Sequence, residues 1–306
     1  MLVALAGLCA VRAQAQGKLR IGIVTPRESL SAVERSVLEG IRLGATEAKQ
    51  TAQLFGGDVE VFNANSDGRQ RGAVRAASHL SSARQVQVLL AVSAADADTV
   101  SKFAEDHRVI FLNVSSRRDA IRAACRRRTF HIEASDAMYA NAWRLFAARQ
   151  GLRRRTSPSP TDSVVLWHPR LERFGASQLN ARYRSAAQAG MDGGAWAGWA
   201  AIKIISEAAL RSKSDSAEKL LAYLESPAIQ LDGHKGWPLA FRATDHQLRQ
   251  PLYIVVPASA TRARAGARIV DVPDLAILNS PSSARNANDV LDLLSAGQNI
   301  RCPWKP

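Results

Sequence analysis

The sequence predicts an α/β fold: a parallel β-sheet flanked by helices. Two observations carry this. Short runs rich in Val, Ile and Leu recur along the first half, each the length of a buried strand. Between them lie segments with apolar residues at helical period, and strands alternating with such helices imply a parallel sheet covered on both faces.

The elements follow in order. Lys18–Thr25 (KLRIGIVT) is an apolar run ended by Pro26 and predicts the first strand. Ser31 and Glu34 have capping-box spacing and open a helix. Its apolar stripe is Val33, Val37, Ile41, Gly44 and Ala48, with Glu34, Arg35, Glu39 and Arg42 off the stripe. Gly56-Gly57 marks a turn, and Asp58–Asn63 alternates as a second strand. Arg69–Ala83 reads as helix, Val86–Val92 as strand, Asp96–Asp106 as helix and Val109–Val114 as strand. Thr129–Ala134 predicts a fifth strand, and Asp136–Arg149 the helix after it.

The second half differs. Leu152–Pro160 (LRRRTSPSP) is charged and then Ser/Pro-rich, the composition of a linker or junction. Ala195–Arg211 is a helix apolar almost all round, with Trp196 and Trp199 expected in the core and Lys203, Glu207 and Arg211 along one wetter edge. Ser216–Leu224 predicts a helix, Leu252–Val256 a strand and Asn288–Leu294 a short helix.

The N-terminus reads as a secretory signal over residues 1–15, with an apolar run Leu2–Val11 and the small-x-small triplet Ala13-Gln14-Ala15. A buried helix is the other reading of that run. Cleavage after Ala15 removes Cys9 and places the mature chain in the periplasm, with Cys125 and Cys302 left as an even pair. Such a pair in an exported chain suggests a disulfide, with two unrelated thiols as the alternative. Beyond the first dozen residues no stretch approaches the roughly 18 apolar residues of a membrane span.

The net charge is +14 among 306 residues, with the densest runs at Arg126-Arg127-Arg128 and Arg153-Arg154-Arg155. Basic chains bind polyanions. No recognition motif and no interleaved aromatics accompany these runs, so an Arg-rich solvated surface is expected and nucleic acid is not.

Catalytic signatures are missing: no GxSxG elbow, phosphate loop, HExxH or strand-following GxGxxG occurs. His131, inside a strand, reads as core, and adjacent Glu105 and Asp106 point to different faces of a helix. There is no zinc-type ligand spacing. No enzyme activity, metal or cofactor is therefore expected. In open parallel sheets, ligands sit beyond the C-terminal ends of strands, near helix N-termini. Those ends carry Thr25, Ser93-Ala94 and Asn113-Val114-Ser115-Ser116. Thr25, Ser93, Ala94, Asn113, Ser115 and Ser116 are accordingly the candidate ligand-binding residues. The serines have a second reading as caps of the following helices.

Several stretches carry a family resemblance: 111–141 (FLNVSSRRDAIRAACRRRTFHIEASDAMYAN), 167–183 (WHPRLERFGASQLNARY), 195–209, 235–251 (KGWPLAFRATDHQLRQP) and 290–302, which ends in a late Cys. With the order of elements, they resemble the type I periplasmic binding proteins, the leucine/isoleucine/valine-binding and receptor-ligand-binding group. They are most similar to the ABC-transporter substrate-binding proteins associated with pyrroloquinoline-quinone (PQQ)-dependent alcohol oxidation.

The resemblance implies a two-lobed "Venus flytrap" whose chain crosses the hinge three times. Residues 17–134 and 164–250 would form lobe 1, and 135–163 with 251–306 the hinge and a reduced lobe 2. Where the body of lobe 2 should stand, between about Gly151 and Ser163, only the Arg/Ser/Pro junction is present. The implied partners are a small polar solute and an ABC-transporter permease. Ser93, Ala94 and Ser115 carry over by position; the lobe 2 contacts do not. An interaction scaffold that has lost its solute, and a polyanion binder, stand beside this reading.

Overall fold

The computed structural model describes residues 17–151, 163–227, 229–256, 268–271, 274, 287–295 and 300–304. The predicted signal segment, Cys9 and the 152–160 junction lie outside them.

Five strands, β1 (Lys18–Pro26), β2 (Asp58–Ser66), β3 (Val88–Ala91), β4 (Ile110–Asn113) and β5 (Thr129–His131), form a parallel sheet in the order β2-β1-β3-β4-β5. Alternate residues face opposite ways, and both faces are buried. Ile21, Ile23, Leu90 and Leu112 join one apolar cluster with helices α1 (Ala32–Leu54), α5 (Asp136–Arg149), α7 (Gly193–Ser212) and α8 (Ala217–Leu224). Leu89, Ala91 and Phe111 face the other side, against α2 (Gln70–Arg84) and α3 (Ala94–Asp106).

The capping box forms: the Ser31 hydroxyl accepts from Glu34 N–H, and the Glu34 carboxylate accepts from Ser31 N–H at 2.9 Å. The apolar stripe needs one correction. Val33 is 63% exposed, whereas Val37, Ile41, Gly44 and Ala48 are buried and Ala52 extends the stripe. Near the start of α7, Gly194 lies beside Val37 and the Val33 carbonyl but brings no side chain to cover Val33, while Gly198 lies against Val37 and Ile41. Contact there is at backbone distance. A Cβ on Gly40 would lie 1.9 Å from the Ala195 carbonyl oxygen, which no side chain permits.

Trp196 and Trp199 are core residues, each with its indole N–H satisfied, by the Gly233 carbonyl at 3.0 Å and by Glu47 at 2.8 Å. Glu207 pairs with Arg211 at 2.8 Å and Lys203 at 3.8 Å along the expected edge.

The remaining pieces are short. β6 (Ser163–Val165), β10 (Tyr253–Val256) and β11 (Arg268–Asp271) form an antiparallel sheet in the order β11-β10-β6, against which α5 packs. β7 (Leu231–Asp232), β8 (Pro238–Phe241) and β9 (Leu248–Arg249) make a second small sheet, and Gln247 beside it bridges to His131 of β5. α4 (Asp119–Ala123), α6 (Ala176–Ala187) and α9 (Ala287–Leu293) complete the described elements. One apolar cluster runs unbroken from β1 through α5 to Ile254 of β10 and Leu294.

The Arg126–Arg128 run is not a free solvated surface. Arg126 pairs with Asp98 at 2.8 Å, Arg127 binds Glu225 through two 2.7 Å bonds, and Arg128 reaches Glu218 at 2.6 Å. Acids on α3, α8 and the end of α8 thus take up the charge that its sequence neighbours cannot. The second run, Arg153–Arg155, lies outside the described residues. Cys125 and Cys302 are joined by a disulfide with Cα atoms 5.2 Å apart. No described helix is long and apolar enough to cross a membrane, and no described cluster of His, Cys, Asp and Glu could hold a metal ion.

Candidate functional site

The strand order fixes where the sheet can open to a ligand. From β1 the chain moves to β2 on one side and then to β3 on the other, so the topological switch point lies between β1 and β3. Val24 and Ala91 are paired there, and the backbone continues with Val92 N–H donating to Val24 O at 3.0 Å. Immediately beyond, α1 and α3 depart to opposite faces of the sheet, and open sheets of this order take their ligands in a crevice outside such strand ends.

Four of the six sequence-predicted residues lie at these strand ends with side chains partly or fully exposed. Thr25, next to last in β1, is half-buried, with its hydroxyl enclosed and unpartnered. Ser93 is half-buried and caps α3 by accepting from Ala95 N–H at 3.3 Å, while Ala94 is exposed at the first turn. Ser115, beyond β4, is half-buried and donates its hydroxyl to the Ala91 carbonyl at 2.9 Å.

Asn113 and Ser116 turn inward and are fully buried. The Asn113 amide donates to Ser116 O at 2.8 Å and to His131 Nδ1 at 3.1 Å, and its oxygen accepts from Ser116 N–H at 2.9 Å. Asn113 therefore shapes the loop after β4 rather than facing the crevice. Burial, reinforced by the nearby Arg122 charge, holds the His131 pKa well down, so a neutral ring accepting at Nδ1 fits its setting.

Three residues outside the six predicted site residues complete the surroundings. Glu34 reaches across the switch point to Ser93; burial works against its ionised form, but hydrogen bonds from Ser31 N–H and from the Ser93 and Ser31 hydroxyls prevail and lower its pKa. Asp96, 1% exposed, accepts from Ser66 at 3.2 Å. Burial is the main cause of its raised pKa, with the Asp67 and Glu34 charges adding to it. Arg122, also 1% exposed, lies beneath the β4 loop and donates to the carbonyls of Ser116 at 3.2 Å and Arg118 at 2.9 Å.

Asp96 gives a pH prediction. A carboxyl whose folded pKa exceeds its unfolded one stabilises the fold below the unfolded pKa, and that contribution fades as pH rises through the folded value. Asp96→Asn should therefore raise urea stability more at pH 8 than at pH 4. Equal effects at both pH values would contradict the sign.

Comparison with known proteins agrees with this architecture. Residues 18–156 match the family model described as periplasmic binding protein. A search of curated proteins finds no match. Among solved structures, a periplasmic binding protein from Burkholderia mallei superposes with a TM-score of 0.69 at 12% identity, covering 84% of this chain and 96% of that one. A leucine-binding protein from Thermotoga maritima gives 0.65 at 12% identity, covering 84% and 99%. A solute-binding protein of an ABC transporter from Rhodopseudomonas palustris, in complex with 3,4-dihydroxybenzoic acid, gives 0.66 at 10% identity, covering 83% and 96%. The parallel sheet, its switch point and these likenesses together identify the fold as that of the type I periplasmic binding proteins.

Proposed function

We propose that this chain is a periplasmic solute-binding protein that delivers a small organic carboxylate to an ABC-transporter permease and serves PQQ-dependent alcohol oxidation. The observation that carries the reading is the β1/β3 switch point, beside which Ser93 and Ala94 place the N-terminus of a 13-residue helix. Backbone N–H groups and the helix dipole favour an anion there. Arg117, exposed two residues beyond Ser115, lies at the same edge of the sheet, paired with Asp136 at 3.2 Å and set over the Tyr139 ring.

The ligands of solved structures that share this fold support the ligand class. Their named ligands include isoleucine, benzoate and 3,4-dihydroxybenzoic acid, all of which carry a carboxyl group. Carboxylates are also what full oxidation of primary alcohols yields, which suits the resemblance of stretches such as 235–251 to the alcohol-oxidation subgroup. The chain acts as a carrier, not a catalyst, and takes no cofactor.

Residues 17–134 and 164–250 are read as lobe 1, and 135–163 with 251–306 as hinge and reduced lobe 2. A shortened second jaw excludes less water, so each polar contact to the solute is weaker than in a closed two-lobed site. The test is a thermal-shift screen of the chain from Gln16 onward against aliphatic and aromatic carboxylates, amino acids, alcohols and aldehydes. At a hundredfold excess over Kd a ligand adds about 2.7 kcal/mol of stability, a rise of roughly 5 °C for a chain of this size. Saturable shifts confined to carboxylates are expected. A cooperative melt that none of them moves would leave a scaffold that has lost its solute.

A further inference from the structure

A second concavity lies away from the strand ends, along the outer side of the α1/α7 pair. Its volume is about 630 Å3, inside the roughly 300–1,000 Å3 of small-molecule sites. The floor is apolar: Gly44 and Ala48 of α1 face Trp199 and Leu210 of α7. Gly44 keeps this floor low, because a Cβ there would lie 3.0 Å from both Trp199 O and the Ile202 side chain. Phe55, the residue closing α1, forms a lip and is 60% exposed.

The walls are charged and unbalanced. Glu47 accepts from the Trp199 indole at 2.8 Å and from Arg182 at 2.7 Å, so its charge is taken up. Glu207 is shared between Arg211 at 2.8 Å and Lys203 at the looser 3.8 Å. Lys213 also lines the groove and makes no ion pair among the described residues. Four cations thus face two carboxylates that are both engaged, above an apolar floor. Charge complementarity therefore selects a ligand with an apolar body and a negative head.

We propose that the groove between α1 and α7 binds an amphipathic organic anion, its apolar body lying on Trp199, Ala48 and Leu210 beneath Phe55 and its acid group meeting Lys203 and Lys213. This site is separate from the strand-end crevice and stands whether or not that crevice holds a solute.

Titration calorimetry of the mature chain with octanoate, in low salt, tests it. One saturable site is expected, weakening as salt screens the lysines, with octylamine failing to bind. The double charge reversal Lys203→Glu/Lys213→Glu should weaken octanoate at least about tenfold. Thr51→Phe, a substitution at an exposed wall position that fills the groove, should do the same. Ser93→Trp, which obstructs the strand-end crevice, should leave octanoate affinity unchanged. The proposal is overturned if no saturable binding occurs, if both groove variants bind as the parent does, or if only Ser93→Trp abolishes binding.

Discussion

Replacing Arg122 by Met should destabilise the protein by about 3–5 kcal/mol, the range expected when one member of a buried charged network is removed. Arg122 is 1% exposed and sends all its nitrogens to acceptors: Gln247 Oε1 at 2.7 Å, Glu133 O at 2.6 Å, Arg118 O at 2.9 Å and Ser116 O at 3.2 Å. Burial lowers its pKa to about 10, still far enough up to keep the charge at neutral pH. Met fills much of the volume but satisfies none of these acceptors, and stranded buried carbonyls each cost on the order of 1–3 kcal/mol. The Glu133 carboxyl, raised by burial, would also lose a compensating cation. Urea unfolding monitored by circular dichroism checks this, and a loss below about 1 kcal/mol would show that the network relaxes around the gap. Because Arg122 holds the Ser116 carbonyl, the same variant should also weaken any solute bound beside Ser115.

Removing the disulfide should cost about as much. Cys125 and Cys302 are 177 residues apart, and closing a loop of that length is worth about 5 kcal/mol in the chain-entropy account. The bond also fastens a strap. Cys302 N–H donates to Thr244 O at 2.9 Å, the Trp304 indole N–H donates to Ala243 O at 2.8 Å, and the Trp304 ring lies 4.7 Å from His246. The double variant Cys125→Ala/Cys302→Ala should lower the melting midpoint by many degrees and leave the Trp304 contact loose. Mass spectrometry of a non-reduced digest should find the Cys125 and Cys302 peptides linked. Recovering them as separate free-thiol peptides would refute the bond.

The elements legible in the sequence are those whose signal is local. Ile21–Val24 of β1, all of β3 and Ile110–Leu112 of β4 are buried on both faces and so read as apolar runs, and α1, α5 and α7 carry stripes or caps that need no distant partner. β7 and β9 have two residues each and exist through antiparallel pairing with β8, which no run of two residues announces. Charge was legible as a total but not as a distribution: the partners of Arg127 and Arg128 lie about a hundred positions away on α8 and at its end.

The crevice shows the same division. Its position follows from strand order, and strand-end residues such as Ser93 could be found by reading along the chain. Which of them face a ligand depends on contacts across the fold. Asn113 turns inward because His131 and the Ser116 backbone occupy its amide. Glu34, legible as half of a capping box, reaches Ser93 only because α1 and α3 start side by side.

The most direct test of the central claim is titration of the chain from Gln16 onward, beside its Ser93→Trp variant, with whichever carboxylate stabilises it most in the thermal screen. Saturable binding by the parent, lost or weakened more than about tenfold (about 1.4 kcal/mol) in the folded variant, would locate the solute at the β1/β3 switch point. Equal affinity in both proteins would contradict that site, and absence of binding in the parent would contradict solute carriage itself.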